Sequence, residues 1–404
     1  MRIVQKYGGT SVGSVARIHA VAEQVGNLQA KGHQVAVVVS AMGDSTDRLV
    51  ELAREVCPEP EPREMDALLA TGEMVSTALL AMALNRRGTR ARSYNALQLP
   101  IETSGLAGRA RIERVDCAKL EADLAAGVVP VVAGFQGKGA NGDLTTIGRG
   151  GSDTTAVALA VVLKAGECQI LTDVDGVYTT DPRMVPEARR LERVSFEEMC
   201  ELAGQGSRVL HLRSVEFAAR HKMSIRVLSS FGPGAGTLIC EEDARVEAPV
   251  VSGIAFNRDE AQITVASVPH APGVAHAILK PISAAGIDVD MIVLNAPRDA
   301  RVDVSFTVHR DDYARALELT RQVAGGYEGA GVQGDDRVAK LAVVGSGMRS
   351  HAGVATRLFE TLAAESINVR LVSTSEIKIS VLVAERELER AVRALHRAYG
   401  LENP

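Results

Sequence analysis

The sequence predicts an α/β fold: an open, mostly parallel sheet with helices on both faces, followed by two smaller repeated modules. Three observations carry that expectation. Apolar β-branched runs alternate with helix-spaced segments through the first 240 residues. Parallel strands covered on both faces read as continuous apolar runs, and strand–loop–helix order is that of crossover connections. The segment Pro272–Ile292 (PGVAHAILKPISAAGIDVDMI) aligns with Ala352–Val372 (AGVATRLFETLAAESINVRLV) at an offset of 80 residues, with six identical positions. Between the two regimes, the turn-rich run Phe231–Gly236 and the charged stretch Glu241–Glu247 mark a boundary near residue 245.

Taken in order, Ile3–Val4, Val35–Val39, Val128–Val132 and Gln169–Leu171 read as buried strands. Val15–Asn27, Asp66–Arg86, Arg114–Ala126 and Asp153–Lys164 have helical spacing. In each repeat a strand (Ile263–Val268, then Leu341–Val344) leads through a short loop into a helix and a second strand. The expected division is 1–245 for the large domain, 246–335 for the first module with a leading linker, and 336–404 for the second. Small βαβ units repeated behind a large α/β domain read as paired ligand-sensing modules.

Composition narrows the function classes. Of 404 residues, 46% are hydrophobic and 24% charged, as in an ordinary soluble protein. Only 3% are aromatic and none is Trp, which removes the stacking platforms of single-strand nucleic-acid readers. A net charge of −5 creates no basic field for nucleic acid or anionic lipid. Cys57, Cys117, Cys168, Cys200 and Cys240 form no CxxC pair, against a structural zinc site or disulfide framework. The opening MRIVQKYGGT lacks the apolar core of a signal peptide, and the longest uncharged apolar run, Ala156–Leu163, is too short to cross a bilayer. A cytoplasmic protein is expected, with no nucleic-acid or membrane partner.

Three motifs carry chemistry. Lys6-Tyr-Gly-Gly-Thr-Ser11 follows the first strand: adjacent glycines allow a phosphate to approach the backbone, the next helix offers free N–H groups, and Lys6 adds a charge. Thr145-Thr-Ile-Gly-Arg-Gly-Gly-Ser-Asp-Thr-Thr155 opens a helix with three glycines, hydroxyls and an arginine able to fork onto a carboxylate or phosphate. Asp153 or Ser152 also suits an N-cap. Leu171-Thr-Asp-Val-Asp-Gly-Val-Tyr-Thr-Thr-Asp-Pro-Arg183 lies at a strand's carboxyl end, where α/β sheets bind ligands. Its DxDG lacks the further oxygens of a calcium loop. His309-Arg-Asp311 spells a protein-kinase triplet without its companions, and no GxxxxGK[ST] occurs. Phosphate handling without either signature points to another kinase class.

These motifs, together with SAMGDSTDRL (Ser40–Leu49), TGEMVS (Thr71–Ser76) and STSEIKIS (Ser373–Ser380), closely resemble the aspartate kinase family along essentially the whole chain. The resemblance implies the amino-acid kinase superfold with two C-terminal, ferredoxin-like ACT domains. It implies ATP- and magnesium-dependent phosphorylation of the L-aspartate side-chain carboxylate to 4-phospho-L-aspartate, towards lysine, threonine, methionine and diaminopimelate. It implies that Lys6, Gly8 and Gly9 hold the ATP phosphates, that Tyr7, Thr172, Asp173, Tyr178, Arg183 and Arg208 also bind ATP, and that Ser40, Thr46, Glu73, Arg149, Gly150 and Ser152 bind aspartate. Lys6, Arg149 and Asp173 are the expected catalytic residues, the metal arriving on ATP rather than in a protein cage. Arg208 stands where many relatives have Lys. Another amino-acid kinase, acting on glutamate, acetylglutamate or a nucleoside monophosphate, is the nearest alternative; the paired ACT modules and the SAMGDSTDRL loop oppose it. A catalytically silent sensor is the other, opposed by intact Lys6, Arg149 and Asp173.

The resemblance further implies effector amino acids (lysine, threonine) bound at the modules, and a homodimer or homotetramer joined through them. The implied positions are His270, Pro272, Gly273, Val274, Ala275, Leu294 and Asn295 in the first repeat, and Ser350, His351, Ser373, Thr374 and Glu376 in the second. Here the sequence departs from its relatives. Many of them have aspartate at position 270 and glutamine at 294; His270 and Leu294 supply neither an ammonium partner nor an amide. Weakened feedback through the first module is expected.

Overall fold

The computed structural model describes residues 1–207, 209–242, 250–295 and 298–403. They form two compact units: Met1–Val177, Arg190–Ala203 and Arg208–Ala244 make the first, and Tyr178–Arg189, Gly204–Ser207 and Arg245–Pro404 the second.

The first unit runs β1 (Arg2–Tyr7), α1 (Val15–Ala30), β2 (Gln34–Val39), α2 (Ser45–Val56), α3 (Pro62–Arg86), β3 (Ala91–Tyr94), β4 (Ile101–Ser104), β5 (Arg111–Val115) and α4 (Ala118–Ala125). It continues through β6 (Val129–Ala133), β7 (Gln136–Lys138), β8 (Leu144–Thr146), α5 (Gly151–Val162), β9 (Glu167–Thr172), β10 (Arg193–Ser195), α6 (Phe196–Gly204), α7 (Leu212–His221), β11 (Ile225–Ser229) and β12 (Thr237–Cys240). Eight strands form one sheet in the order β10-β12-β11-β9-β1-β2-β6-β3, parallel from β11 to β3. The strand β12 runs antiparallel to β11 and carries β10 alongside it. The central strands are the apolar runs read from the sequence, because both of their faces are covered. On one face, Tyr7, Val35, Val37, Val39, Val129 and Val131 pack against Val21, Val25, Leu80 and Leu84 of α1 and α3. The small sheet β5-β4-β7-β8 stands beside it.

Two local expectations change. Arg114–Ala126 is not one helix: Arg111–Val115 is a strand of the small sheet, and α4 begins only at Ala118, whose amide donates to Asp116 Oδ1 at 3.1 Å. The segment Ser45–Val56, read as part of a loop motif, is a helix: Leu49, Leu52, Ala53 and Val56 recur at helical spacing although none of its residues is buried.

The second unit contains β13 (Gly253–Pro269), α8 (Val274–Ala284), β14 (Val289–Leu294), β15 (Arg301–His309), α9 (Tyr313–Ala324) and β16 (Gly331–Val344). After these come α10 (Val354–Ala364), β17 (Leu371–Thr374), β18 (Lys378–Ala384) and α11 (Leu388–Ala398). One six-stranded sheet, β14-β15-β13-β16-β18-β17, serves both repeats. Both repeats enter their first helix through a left-handed glycine, Gly273 at φ +91° and Gly353 at φ +98°.

The expected boundary between the modules is corrected by the strand register. Gly253–Asn257 pairs with Val344–Lys340, while Gln262–Ala266, further along β13, pairs with Asp335–Gly331 and with β15. Ile254 and Val251 lie in the core made by Leu341, Val343, Leu358, Val381 and Leu395. The residues assigned as a linker therefore supply a strand of the second module, which is not confined to 336–404. The segment Tyr178–Arg189, assigned to the large domain, also belongs to this unit. Thr179 O accepts from the Ile254 amide at 2.7 Å, Thr179 Oγ1 meets the buried His396 Nε2 at 2.9 Å, and Met184 and Val185 enter the same core.

Truncating Ile254, which is 2% exposed, tests this interleaving. Ile254→Ala should cost about 2–5 kcal/mol and speed amide exchange across α10 and α11, leaving α8 and α9 protected. Faster exchange confined to α8 and α9 would return Gly253–Asn257 to the first module.

Candidate active site

The carboxyl ends of β1, β2, β6, β9 and β11 form a single crest, stitched by backbone hydrogen bonds from one loop to the next. The Gly8 amide donates to Leu171 O at 3.1 Å, Ser40 to Tyr7 O at 3.1 Å, Gly134 to Val39 O at 3.0 Å, and Ser230 to Thr172 O at 2.8 Å. The Gly43 amide reaches Gly9 O at 3.1 Å, so the SAMGDST loop lies against the KYGG turn. Crevices outside the carboxyl ends of parallel strands are where such sheets take ligands.

Strand alternation divides β1. Lys6 points to the α5 face, where its Nζ lies 2.7 Å from Asp153 Oδ1, the two side chains 12% and 11% exposed. Tyr7 points to the opposite face and is fully buried, its hydroxyl 3.2 Å from Gln5 Oε1, and burial raises its pKa above the ordinary value. The Tyr7 side chain therefore faces the core on the side of the sheet opposite Lys6. Period-2 alternation allows only one of these neighbours to face α5.

The GRGG segment brings α5 to the crest. Gly150, at φ +70°, precedes the helix, and a Cβ there would collide with the His211 ring. A Cβ on Gly134 would lie 2.6 Å from Ser152 Oγ. Both positions need glycine so that the helix start can close on the sheet edge. The first-turn amides of Ser152 and Asp153 have no acceptor among the described residues, and helix amides of this kind receive anions. Arg149 is exposed beside them, and its guanidinium has no ion-pair partner among the described residues.

On the other side of the crest, α3 presents Glu73, 3% exposed. One carboxyl oxygen accepts from the Ala41 amide at 3.1 Å; the other is buried without a partner among the described residues. Burial pushes the carboxyl up to about 7, and the Ala41 hydrogen bond opposes only part of that rise. Ser76, one turn along, donates to Ser40 O at 2.8 Å and holds the same loop. A buried carboxyl with an idle oxygen is an acceptor prepared for a cationic donor.

The remaining expected residues divide. Ser40 stands on the loop that Ser76 holds, Thr46 lies in the first turn of α2, and Thr172 ends β9 with Asp173 following it, Thr172 Oγ1 3.1 Å from Asp173 Oδ1. Tyr178 and Arg183 belong to the second unit, where Arg183 forks onto Asp181 at 2.8–3.3 Å. Arg208 lies outside the described residues. Sequence reasoning missed the partner duty of Asp153, for which it offered a cap as one alternative, and His211, whose ring packs on Gly150 and whose pKa burial lowers. Nothing in the local spacing marks either one.

A parallel α/β sheet with a glycine-lined anion cradle and a buried cation acceptor at its carboxyl crest defines a class of small-molecule phosphotransferases. The amino acid kinase family model matches residues 1–229, and an ACT domain model matches 341–399. An aspartokinase from Pseudomonas aeruginosa is 56% identical over 404 residues, covering 100% of this chain and 98% of that one. An aspartokinase from Mycolicibacterium smegmatis is 46% identical, covering 99% and 96%. Among solved structures, E. coli aspartokinase III in complex with aspartate and ADP aligns over 98% of this chain and 99% of that chain, with a TM-score of 0.83 and 26% identity. The chain belongs to the aspartokinase family and is an enzyme of that kind, a phosphotransferase with a carboxyl group as acceptor. ATP use and amino-acid-binding ACT architecture follow from that membership.

The raised Glu73 pKa makes a stability prediction. A folded-state pKa of about 7 against an ordinary 4.5 means that the folded protein holds the proton more tightly. This group's contribution is therefore full below about pH 4.5 and lost as pH rises through about 7, about 3 kcal/mol in all and about 2 kcal/mol between pH 5.5 and 8. Urea melts of the ligand-free protein at pH 5.5 and 8 should show that loss, and Glu73→Gln should remove it. Parallel pH profiles for the two proteins would show that Glu73 titrates normally.

Proposed function

We propose that the crest transfers the γ-phosphoryl group of ATP to the side-chain carboxylate of L-aspartate, giving 4-phospho-L-aspartate. This is the entry step towards lysine, threonine, methionine and diaminopimelate. The observation that carries the reading is the unpartnered Glu73 oxygen on the same crest as the Lys6–Asp153 pair and the free α5 amides. A molecule joining one ammonium to anionic ends satisfies both. The E. coli relative crystallised with aspartate and ADP supports it.

In this reading Glu73 takes the substrate ammonium, Arg149 forks onto a substrate carboxylate, and Ser40, Thr46, Gly150 and Ser152 complete the aspartate pocket. Lys6, Gly8 and Gly9 hold the ATP phosphates, and Thr172 and Asp173 meet the nucleotide. The acceptor carboxylate, with an ordinary pKa near 4, is ionised at neutral pH and needs no general base. The protein's task is to bring two anions together and to neutralise charge on the transferring group. The exposed carboxyl of Asp173 suits a magnesium ion carried in on the phosphates, whose chemistry is further charge neutralisation. Five free cysteines suit a reducing, cytoplasmic setting.

Replacing the forked guanidinium by a point charge isolates the aspartate contact. Arg149→Lys should raise the aspartate KM roughly ten- to a hundredfold, the worth of one charge-assisted contact, with the ATP KM within about twofold. Coupled or hydroxamate assays read both. A rise confined to the ATP KM would move Arg149 to the nucleotide.

Feedback through the first module is proposed to be weak. Its effector positions are open: His270 is exposed, its amide donating to Ala300 O at 2.8 Å, and Leu294 is 51% exposed on the edge strand β14. Asp290, a nearby carboxylate, is already paired with Lys340. The second module keeps Ser373, Thr374 and Glu376 exposed, with Glu376 3.3 Å from Arg349; the Ser350 side chain lies outside the described residues. The exposed Ile292 and Leu294 of β14 also support pairing of subunits through these modules. Titrating lysine and threonine, alone and together, against initial rate should give half-inhibition no tighter than about 1 mM. Inhibition well below that by either amino acid sinks the idea.

A further inference from the structure

We propose that Asp66 is a positioning residue that fixes the distance between the two ends of the substrate pocket. It ties the arm carrying Arg149 to the helix carrying Glu73, and the inference rests on the roles read above for those two residues.

Asp66 is 1% exposed on the first half of α3. Its Oδ2 accepts from the Gly108 amide at 3.0 Å and the Thr146 amide at 2.9 Å, and its Oδ1 accepts from Thr146 Oγ1 at 2.6 Å. All three donors come from outside the helix, and two belong to Thr146, three residues before Arg149. A second link lies one turn further on. Gln136, fully buried and paired with Thr146 across the β7–β8 hairpin, donates to Ala70 O at 3.0 Å and accepts from the Ala96 amide at 3.2 Å. Positions 66, 70 and 73 share one face of a helix. The same face of α3 thus grips the hairpin at Asp66 and Ala70 and presents Glu73 to the pocket about 10 Å further along the axis.

Beyond Thr146 the arm has little freedom before it reaches the arginine. The Ile147 amide donates to Phe135 O at 2.9 Å, and Ile147 O accepts from Arg213 Nη1 at 2.7 Å. Only Gly148, at φ +84°, separates that anchored residue from Arg149. The carboxyl group is buried and already takes three backbone and hydroxyl donors, from Gly108 and Thr146. What it holds is the spacing of two elements, each of which ends in one half of the amino-acid pocket.

The test measures KM for both substrates in Asp66→Ala, Asp66→Asn and Thr146→Val, with Arg149→Lys alongside and thermal melts of each. Displacing a binding group by about 1 Å can cost about a hundredfold, so Asp66→Ala should raise the aspartate KM roughly ten- to a hundredfold, with the ATP KM within about threefold. Asp66→Asn should recover most of the loss, because its oxygen still takes both amides while its NH2 group donates to Thr146 Oγ1. Thr146→Val, which deletes only the hydroxyl donor, should give a smaller rise of the same kind and carries the test if Asp66→Ala fails to fold. If both KM values rise together and asparagine rescues neither, Asp66 is a general structural residue and the proposal falls. If Arg149→Lys raises the aspartate KM and neither Asp66→Ala nor Thr146→Val does, the proposal falls while the reading of Arg149 stands. If Arg149→Lys leaves the aspartate KM unchanged, that reading falls and takes the proposal with it.

Discussion

An ammonium group set at the end of the central strand of a covered sheet is costly unless something answers it, and Asp153 answers Lys6 at 2.7 Å. Much of the crest follows from that one pair. The carboxylate stands in the first turn of α5, where the helix dipole favours negative charge, so the helix start is drawn down onto the ends of β1 and β9. That approach leaves no room for side chains at Gly134 and Gly150. It also exposes the Ser152 and Asp153 amides to the space above Lys6. An ammonium has three donors; the ion pair with Asp153 leaves it able to take an incoming anion as well. Cradle, glycines and lysine are parts of one electrostatic arrangement.

The second charged feature has the opposite sign and lies across the sheet. The helix α3 packs on the face that buries Tyr7, while α5 covers the face that takes Lys6. Glu73 and the Lys6–Asp153 pair therefore reach the same crest from opposite layers. A reaction between two anions suits this division. In the reading proposed above, cations and amide donors gather where the phosphates and carboxylates would meet, and one buried carboxyl is kept apart for the single positive group on the acceptor. The elevated pKa of Glu73 describes the pocket before that group arrives, since an ammonium beside it restores the charged form.

What was legible in the sequence had a local cause. The central strands read as apolar runs because they are covered on both faces, and Gly8, Gly9, Gly150 and Arg149 stood out because each lies on a turn at a strand or helix end. Cross-chain relations were not legible. Asp153 suited a cap, and its Lys6 partner is 147 residues away in the chain. Asp66 looked like an ordinary polar residue at the start of a helix because its donors lie on Gly108 and Thr146. Tyr7 was grouped with the ATP-binding residues because it lies inside the KYGG motif, although alternation sends its ring into the core. The helix Ser45–Val56 had its spacing in Leu49, Leu52, Ala53 and Val56, but it begins inside the SAMGDSTDRL motif, which reads as a loop. The repeat was visible, but its interleaving was not, since Gly253–Asn257 has the same pattern whether it pairs with the first module or the second.

That interleaving decides how the two repeats relate physically. Each repeat needs four strands to cover its pair of helices, and β13 and β16 are long enough to serve both in succession. At the midpoint of the shared ladder the sheet buries Lys340, 3.3 Å from Glu260 and paired also with Asp290. Glu260 belongs to the part of β13 that pairs with β15, Asp290 to β14, and Lys340 to the part of β16 that pairs with β18. Neither module can part from the other without stranding a buried charge, which costs several kcal/mol. Met291 packs with Val338, Leu371 and Leu382 beside it, so an apolar contact crosses the same junction. A ligand that moved β14 would therefore disturb a charge held in the strand shared with the second module.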